Sequence, residues 1–397
     1  MSRAGIYLDN AASSPVDPRV VEVMVDALAR HGANPTAAHD PGERAADAVA
    51  RAREPVAAAI GAAPDDLIWT SGASEANNLA IQGVAAAFGR QPGHMITLST
   101  EHPAVLGPMA ALEARGWSIT RLPVDANGLC EPETLAAALR PDTRLVSVMQ
   151  VNNETGVCQD LAAIGEALRA HPAAFHVDAA QGAGKLPLDV EVIGADLVSL
   201  SAHKLHGPKG IGALYVRRRP APHLAAVWHG GGQERGLRPG TPATHQILGM
   251  GKAYALAADH APAESRRIAA LRDRLWQRLA ALGDVVRNGG PDRVAPGLLN
   301  VSVGGVHADA LHYACAVGEP ALAVSRGSAC AAGSAASSYV LRAMGREPAL
   351  AAASLRLSLG RFTSAADVDT AGRAIAAHIE RLRAMAPMDT PADAVVA

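Results

Sequence analysis

Lysine is nearly absent from this chain: there are four among 397 residues, Lys185, Lys204, Lys209 and Lys252, and arginine carries the remaining basic charge. Aromatic residues make up 3% of the composition, and alanine fills much of the apolar space. The formal net charge is −2, which argues against a nucleic-acid or other polyanionic partner held by bulk charge. No apolar run approaches the roughly 18 residues of a membrane span, and the N-terminal residues lack the hydrophobic stretch of a secretory signal. The four cysteines, Cys130, Cys158, Cys315 and Cys330, form no close pair and no CxxC, which speaks against a disulfide framework or a zinc site; no metal is expected. A reduced, cytoplasmic setting is the expectation. With 49% hydrophobic and 19% charged residues, the chain reads as a globular protein, long enough for one larger and one smaller domain.

What is present is an alternation of short apolar runs and helical periodicity. Runs at 67–70, 95–98, 118–122, 145–149, 174–177 and 197–200 read as strands. Helical patterns precede and separate them, among them 18–30, with Val20, Met24, Ala27 and Leu28 on one face, and one from Ser71 to about Phe88. Such β-α-β alternation predicts an α/β fold with a mainly parallel central sheet and helices on both faces.

One of these runs, Leu197 to Leu200, ends in Ser201-Ala202-His203-Lys204, followed by glycines and a proline that force a turn. A lysine just past a buried strand is partly desolvated, which favours the neutral, nucleophilic amine that attacks aldehydes. Lys204 reads either as a covalent anchor for an aldehyde cofactor or as a lysine capping the rim of the sheet. Ser74 could cap a helix or, with the N–H groups of that helix start, bind a phosphate. His102 could be a loop histidine and Asp178 a turn former. Yet Ser74, His102, Asn153, Asp178, Gln181, Ser201, His203 and Lys204 all follow predicted strands. In an open α/β sheet that edge lines the ligand crevice, so a joint site is the better reading. A lysine, a carboxylate, an imidazole and a set of phosphate donors are the groups that pyridoxal 5'-phosphate requires.

The motifs carry a resemblance. Tyr7-Leu-Asp-Asn, Thr70-Ser-Gly-Ala-Ser-Glu, Thr100-Glu-His-Pro-Ala-Val, Val151-Asn-Asn-Glu-Thr-Gly, His176-Val-Asp-Ala-Ala-Gln, Ser201-Ala-His-Lys, Arg238-Pro-Gly-Thr, Gly327-Ser-Ala-Cys and Leu355-Arg-Leu-Ser-Leu-Gly-Arg-Phe occur in order over nearly the whole chain. In these the sequence resembles the cysteine desulfurases of the class V aminotransferase superfamily, in particular the nitrogenase and iron–sulfur-cluster subgroup. The resemblance implies a fold-type I pyridoxal-phosphate enzyme. It would convert L-cysteine to L-alanine and leave the sulfur on Cys330 as a persulfide for an acceptor protein. Selenocysteine lyase and another class V aminotransferase are the enzyme alternatives, and a sulfur-delivery scaffold the non-enzyme one.

Residue by residue, the resemblance implies that Lys204 holds the cofactor aldehyde, Asp178 pairs with the ring nitrogen and Gln181 with the ring hydroxyl. His102 would lie over the ring and move a proton. Ala73, Ser74, Ser201 and His203 would hold the phosphate, joined by Thr241 across a homodimer. Asn34, Asn153 and Arg356 would hold the substrate.

Residues 15–255 are expected to form the large cofactor-binding domain, with 1–14 and 256–397 forming a smaller α+β domain. The latter carries a segment of small residues, about 325–338, in which Cys330 sits; its composition predicts mobility. The glycines at 230–232 lack a Gly-Lys-Ser/Thr ending, which excludes a P-loop and suits a tight loop bordering a dimer site. Arg326 stands where the family commonly has serine, close to the nucleophile. Ala37-Ala38 and a loop one residue shorter are further departures, and the residues after Met385 read as a short polar tail.

Overall fold

The structure is a computed structural model that describes residues 5–89, 91–219, 221–326 and 337–385. Its strands are β1 (Ile6–Tyr7), β2 (Leu67–Thr70), β3 (His94–Leu98), β4 (Ser118–Leu122), β5 (Thr143–Met149), β6 (Ala174–Asp178), β7 (Leu197–Ser201), β8 (Gly212–Val216), β9 (Val285–Asn288), β10 (Leu298–Val303), β11 (Leu322–Ala323) and β12 (Ser354–Ser358). Its helices are α1 (Pro18–Arg30), α2 (Asp40–Ala58), α3 (Ala73–Ala87), α4 (Pro103–Glu113), α5 (Pro132–Ala138), α6 (Leu161–Leu168), α7 (Val190–Ile193), α8 (Thr244–Ala280), α9 (Ala308–Val317), α10 (Tyr339–Ala343), α11 (Pro348–Ala352) and α12 (Ala365–Met385).

Seven strands form the main sheet in the order β2-β8-β7-β6-β5-β3-β4. The run from β7 to β4 is parallel, as the alternation predicts. In β3, β5, β6 and β7 nearly every residue is buried, which is why they read as continuous apolar runs. One apolar core lies on each face of this sheet, one including Ile96, Val146 and Phe175 and the other Ile68, Met95 and Leu145. The sheet also contains β8, which the sequence pattern does not announce. It is antiparallel to both β7 and β2, so β2 points the same way as the parallel strands. The ends of β2, β3, β5, β6 and β7 therefore open on one edge.

A second sheet, β12-β10-β9, is antiparallel, and β1 pairs with β11 beside it. Leu8 from the N-terminal segment joins its core, together with Leu299, Leu357 and Ile375. Helix α8 connects the two regions. It starts at Thr244 and runs for 37 residues, about 55 Å at the usual rise. Its first half sends Ile247, Met250 and Tyr254 into the first core, and its second half sends Ile268, Leu271, Leu275 and Leu279 into the second. Residue 255 thus falls inside one continuous helix.

Two local expectations are corrected. Leu28, expected on the buried face of α1, is 63% exposed, because the covered side of that helix is the one carrying Val20 and Ala27. Ser74 is not the N-cap of α3: Gly72 takes that position, and Glu75 reaches back to accept a hydrogen bond from the Ser71 N–H at 2.8 Å. Gly72 has φ 152°, and a Cβ at Gly212 would stand 2.7 Å from its Cα, so both glycines are required where β8 meets the helix start.

Candidate active site

At the common edge of the strands lies a cavity of about 430 Å³. It is lined by Ala73 and Ser74 from the start of α3, His102 after β3, Asn153 after β5, Asp178 and Gln181 after β6, and His203 and Lys204 after β7. Arg356 reaches it from β12 of the second sheet. Ser201 ends β7 beside these residues and is 3% exposed. The structure thus gathers ten of the thirteen predicted site residues at one place.

Asn34 and Thr241 do not line it. Asn34 is exposed, and its side-chain oxygen accepts from the Thr36 N–H and hydroxyl at 3.0 Å each, a local turn. Thr241 is exposed ahead of α8. Cys330 lies outside the described residues. Its neighbour Arg326 does not lack a partner, because its guanidinium donates to the Asp309 carboxylate.

The carboxylate of Asp178 is fixed at both oxygens: Oδ2 accepts from Asn77 Nδ2 at 2.7 Å and Oδ1 from the Ala180 N–H at 3.0 Å. Gln181 donates to the Ala11 carbonyl at 2.8 Å, which anchors its amide against the N-terminal segment. Arg356 is 1% exposed and donates to the Asn153 carbonyl at 2.8 Å and to Asp9 at 2.9 Å. Its backbone pairs with Ser325, the first residue of the segment that bears Cys330. Asn77, one turn after Ser74 on α3, carries no functional signal of its own; a polar side chain three residues on from a candidate phosphate contact was the available clue.

Burial, then the nearby Lys204 charge, lowers the pKa of His102, so the ring is neutral at physiological pH. The Ala104 N–H donates to its Nδ1 at 3.0 Å, which places the ring proton of the neutral form on Nε2. Burial, with Lys204 second, pushes His203 down to about 4, so it too is neutral.

Several buried polar atoms here have no hydrogen-bond partner among the described residues: Asn77 Oδ1, Asn153 Oδ1, Gln181 Oε1, Ser201 Oγ and Arg356 Nε. Isolated cases of this kind are expensive, roughly 1–3 kcal/mol each, and a cluster around one cavity is what a site built for a polar, charged ligand looks like. An amine, a fixed carboxylate, neutral imidazoles and a helix start fit pyridoxal phosphate group by group. The three described cysteines are poor nucleophiles. Burial pushes the thiols of Cys130 and Cys158 up to about 11 and that of Cys315 up to about 12.

The chain matches the family model described as Aminotransferase class-V over residues 6–370. It is 50% identical over 384 residues to the cysteine desulfurase IscS of Methylococcus capsulatus, covering 96% of this chain and 94% of that protein. Among solved structures, a NifS-like protein superposes with a TM-score of 0.88 at 32% identity, covering 96% of this chain and all of the other (100%). A structure of SspA in complex with cysteine gives 0.79 at 39% identity over 90% of this chain and 99% of that one. With the motifs, the fold and the cavity in agreement, the chain belongs to the class V aminotransferase family, in its cysteine desulfurase group.

Proposed function

We propose that this protein is a pyridoxal-phosphate-dependent cysteine desulfurase. L-Cysteine and the Cys330 thiol are converted to L-alanine and a Cys330 persulfide, which is handed to an acceptor protein. The C–S bond of the substrate breaks, an S–S bond forms at Cys330, and the substrate carbon gains the proton that the thiols lose. The observation that carries the reading is the convergence of the Lys204 amine, the doubly held Asp178 carboxylate and the Arg356 guanidinium on one cavity.

Pyridoxal phosphate, when bound, supplies an aldehyde for an amine and a ring that accepts electrons from the substrate carbon. Lys204 holds the aldehyde and takes the substrate α-proton. Asp178 keeps the ring nitrogen protonated, and Asn77 keeps Asp178 in place for it. Gln181 offers its unpartnered Oε1 to the ring hydroxyl. Ala73, Ser74, Ser201 and His203 receive the phosphate, with Thr241 contributed from the other subunit of a homodimer. His102 presents Nε2–H on the cavity side and moves a proton at that atom. Arg356 and Asn153 orient the substrate carboxylate, and Asn34 borders the substrate from its loop. An arginine suits the carboxylate because its fork fixes direction as well as charge.

The test uses purified protein. Absorbance near 400 nm (about the range of the bound chromophore) should appear on reconstitution and be lost in Lys204→Ala. Turnover of L-cysteine should yield alanine and protein-bound sulfur in equal amounts. Alanine without labile sulfur, or a requirement for a keto acid, would overturn the reading.

A further inference from the structure

A second and much smaller cavity of about 70 Å³ adjoins the main one and shares Ala11, Gln181 and Lys204 with it. It sits where the loop after β6 meets α8 and the turn after β12, and its charged lining is Lys185, Lys204, Glu264 and Arg361, with His206. We propose that this cavity is a binding site for one small monovalent anion of chloride size, with the Lys185 ammonium as its ligand.

The charge balance carries the argument. Arg361 donates to Glu264 at 3.0 Å and to Asp17 at 2.9 Å, and Arg19 donates to Asp17 at 2.8 Å. Those two carboxylates are therefore matched by two guanidinium groups. Among the described residues the Lys185 side chain has no hydrogen bond and no ion pair, so its charge is the surplus one. Its backbone is held in place, since the Ser265 hydroxyl donates to the Lys185 carbonyl at 3.2 Å. The groups around it are Lys204, His203 and His206 from the loop after β7, Glu264 from α8 and Arg361 after β12. Both histidines are neutral, pushed down to about 4 chiefly by burial.

Lys185 is partly buried, and its one acidic neighbour, Glu264, is already bonded to Arg361. Such an ammonium lowers its desolvation cost by shedding its proton or by taking up an anion. Burial first, and then repulsion from the charged Lys204 amine, lowers Lys185 to about 7, with Glu264 opposing the shift. An anion would raise that value and hold the charge. Size sets the class of ligand: about 10–15 Å³ accommodates one water, so this cavity takes a halide with a few waters and excludes a nucleotide or a sugar phosphate. The sign with pH follows. Anion binding requires charged Lys185, so it is strongest below about 7 and fades as pH rises through and beyond that value.

The holoenzyme should be crystallised at pH 6 and soaked in sodium bromide. Anomalous density in contact with the Lys185 amine is expected; bromide found only elsewhere overturns the proposal. In solution, the holoenzyme should melt at least about 2 °C higher in sodium chloride than in sodium gluconate of equal ionic strength at pH 6, and the difference should vanish at pH 9. Lys185→Met should show no chloride effect at either pH. Lys185→Arg, which keeps its charge, should show it at both, and so guards against a methionine variant that fails to fold. Equal melting of the wild type in the two salts at pH 6, or a chloride effect that survives in Lys185→Met, means that the lysine is a neutral amine and the site does not exist.

Discussion

Asn77 Nδ2 donates to Asp178 Oδ2 across 2.7 Å, between two residues that are 0% and 7% exposed. This bond joins α3, at whose start the phosphate is proposed to sit, to the end of β6, where the ring nitrogen is proposed to sit. Hydrogen bonds to a charged group contribute about 1.5–3 kcal/mol. Asn77→Ala should therefore weaken retention of pyridoxal phosphate about tenfold or more, read as loss of absorbance on dialysis. Unchanged retention would mean that the Ala180 N–H alone fixes the carboxylate.

His102 should act in its neutral form. Because burial lowers its pKa, the acid limb of kcat/KM should lie below the ordinary histidine value, and the rate should fall only as pH drops through that lowered point. His102→Asn should reduce the rate by about 10²–10⁴-fold and abolish the limb. A limb that survives unchanged in the variant belongs to another group.

Glu101 precedes His102 and is 0% exposed. One carboxyl oxygen accepts from the Met149 N–H at 2.7 Å, and the other has no partner among the described residues. Burial raises its pKa well above the usual range, with the Asp178 charge adding to it. A carboxyl whose folded pKa is raised favours folding below its unfolded pKa and loses that contribution as pH rises through the folded value. Glu101→Gln removes the proton equilibrium. It should gain stability relative to the wild type at pH 8, and the gain should shrink toward pH 5, as measured by urea denaturation. Equal loss at both pH values would show that the carboxyl shape, and not its protonation, matters.

Arg356→Lys keeps the charge and loses the fork. Its buried position bonds both the Asn153 carbonyl and Asp9, so the variant should raise KM for L-cysteine roughly 10- to 100-fold. Absorbance of the bound cofactor should stay as in the wild type; its loss would place Arg356 with the cofactor instead of the substrate.

Sulfur should map to Cys330. The thiols of Cys130, Cys158 and Cys315 are held protonated by burial, so mass spectrometry after turnover should find them unmodified. Cys330→Ser should keep its cofactor absorbance and form no persulfide. Full activity in that variant would overturn the assignment.

The sequence by itself determined the strand–helix alternation and the polar residues that end each strand. Both are short-range properties: buried parallel strands read as continuous apolar runs, and turns announce themselves through glycine, proline and small polar residues. That is why Lys204, Asp178, His102 and Ser74 are legible as one edge in the sequence. The tertiary structure decided what depends on pairing across distance. That β8 runs antiparallel to both β7 and β2, so that β2 points with the others, is a matter of pairing across distance and shows in no local periodicity. Arg356 was legible only through family resemblance, because nothing in an apolar strand of the second sheet says that its guanidinium will reach Asp9 and Asn153. Leu28 looked like core by its spacing, but spacing gives a face and not what covers it. The unpaired charge of Lys185 exists only in three dimensions, since it depends on Arg361 having already matched Glu264 and Asp17.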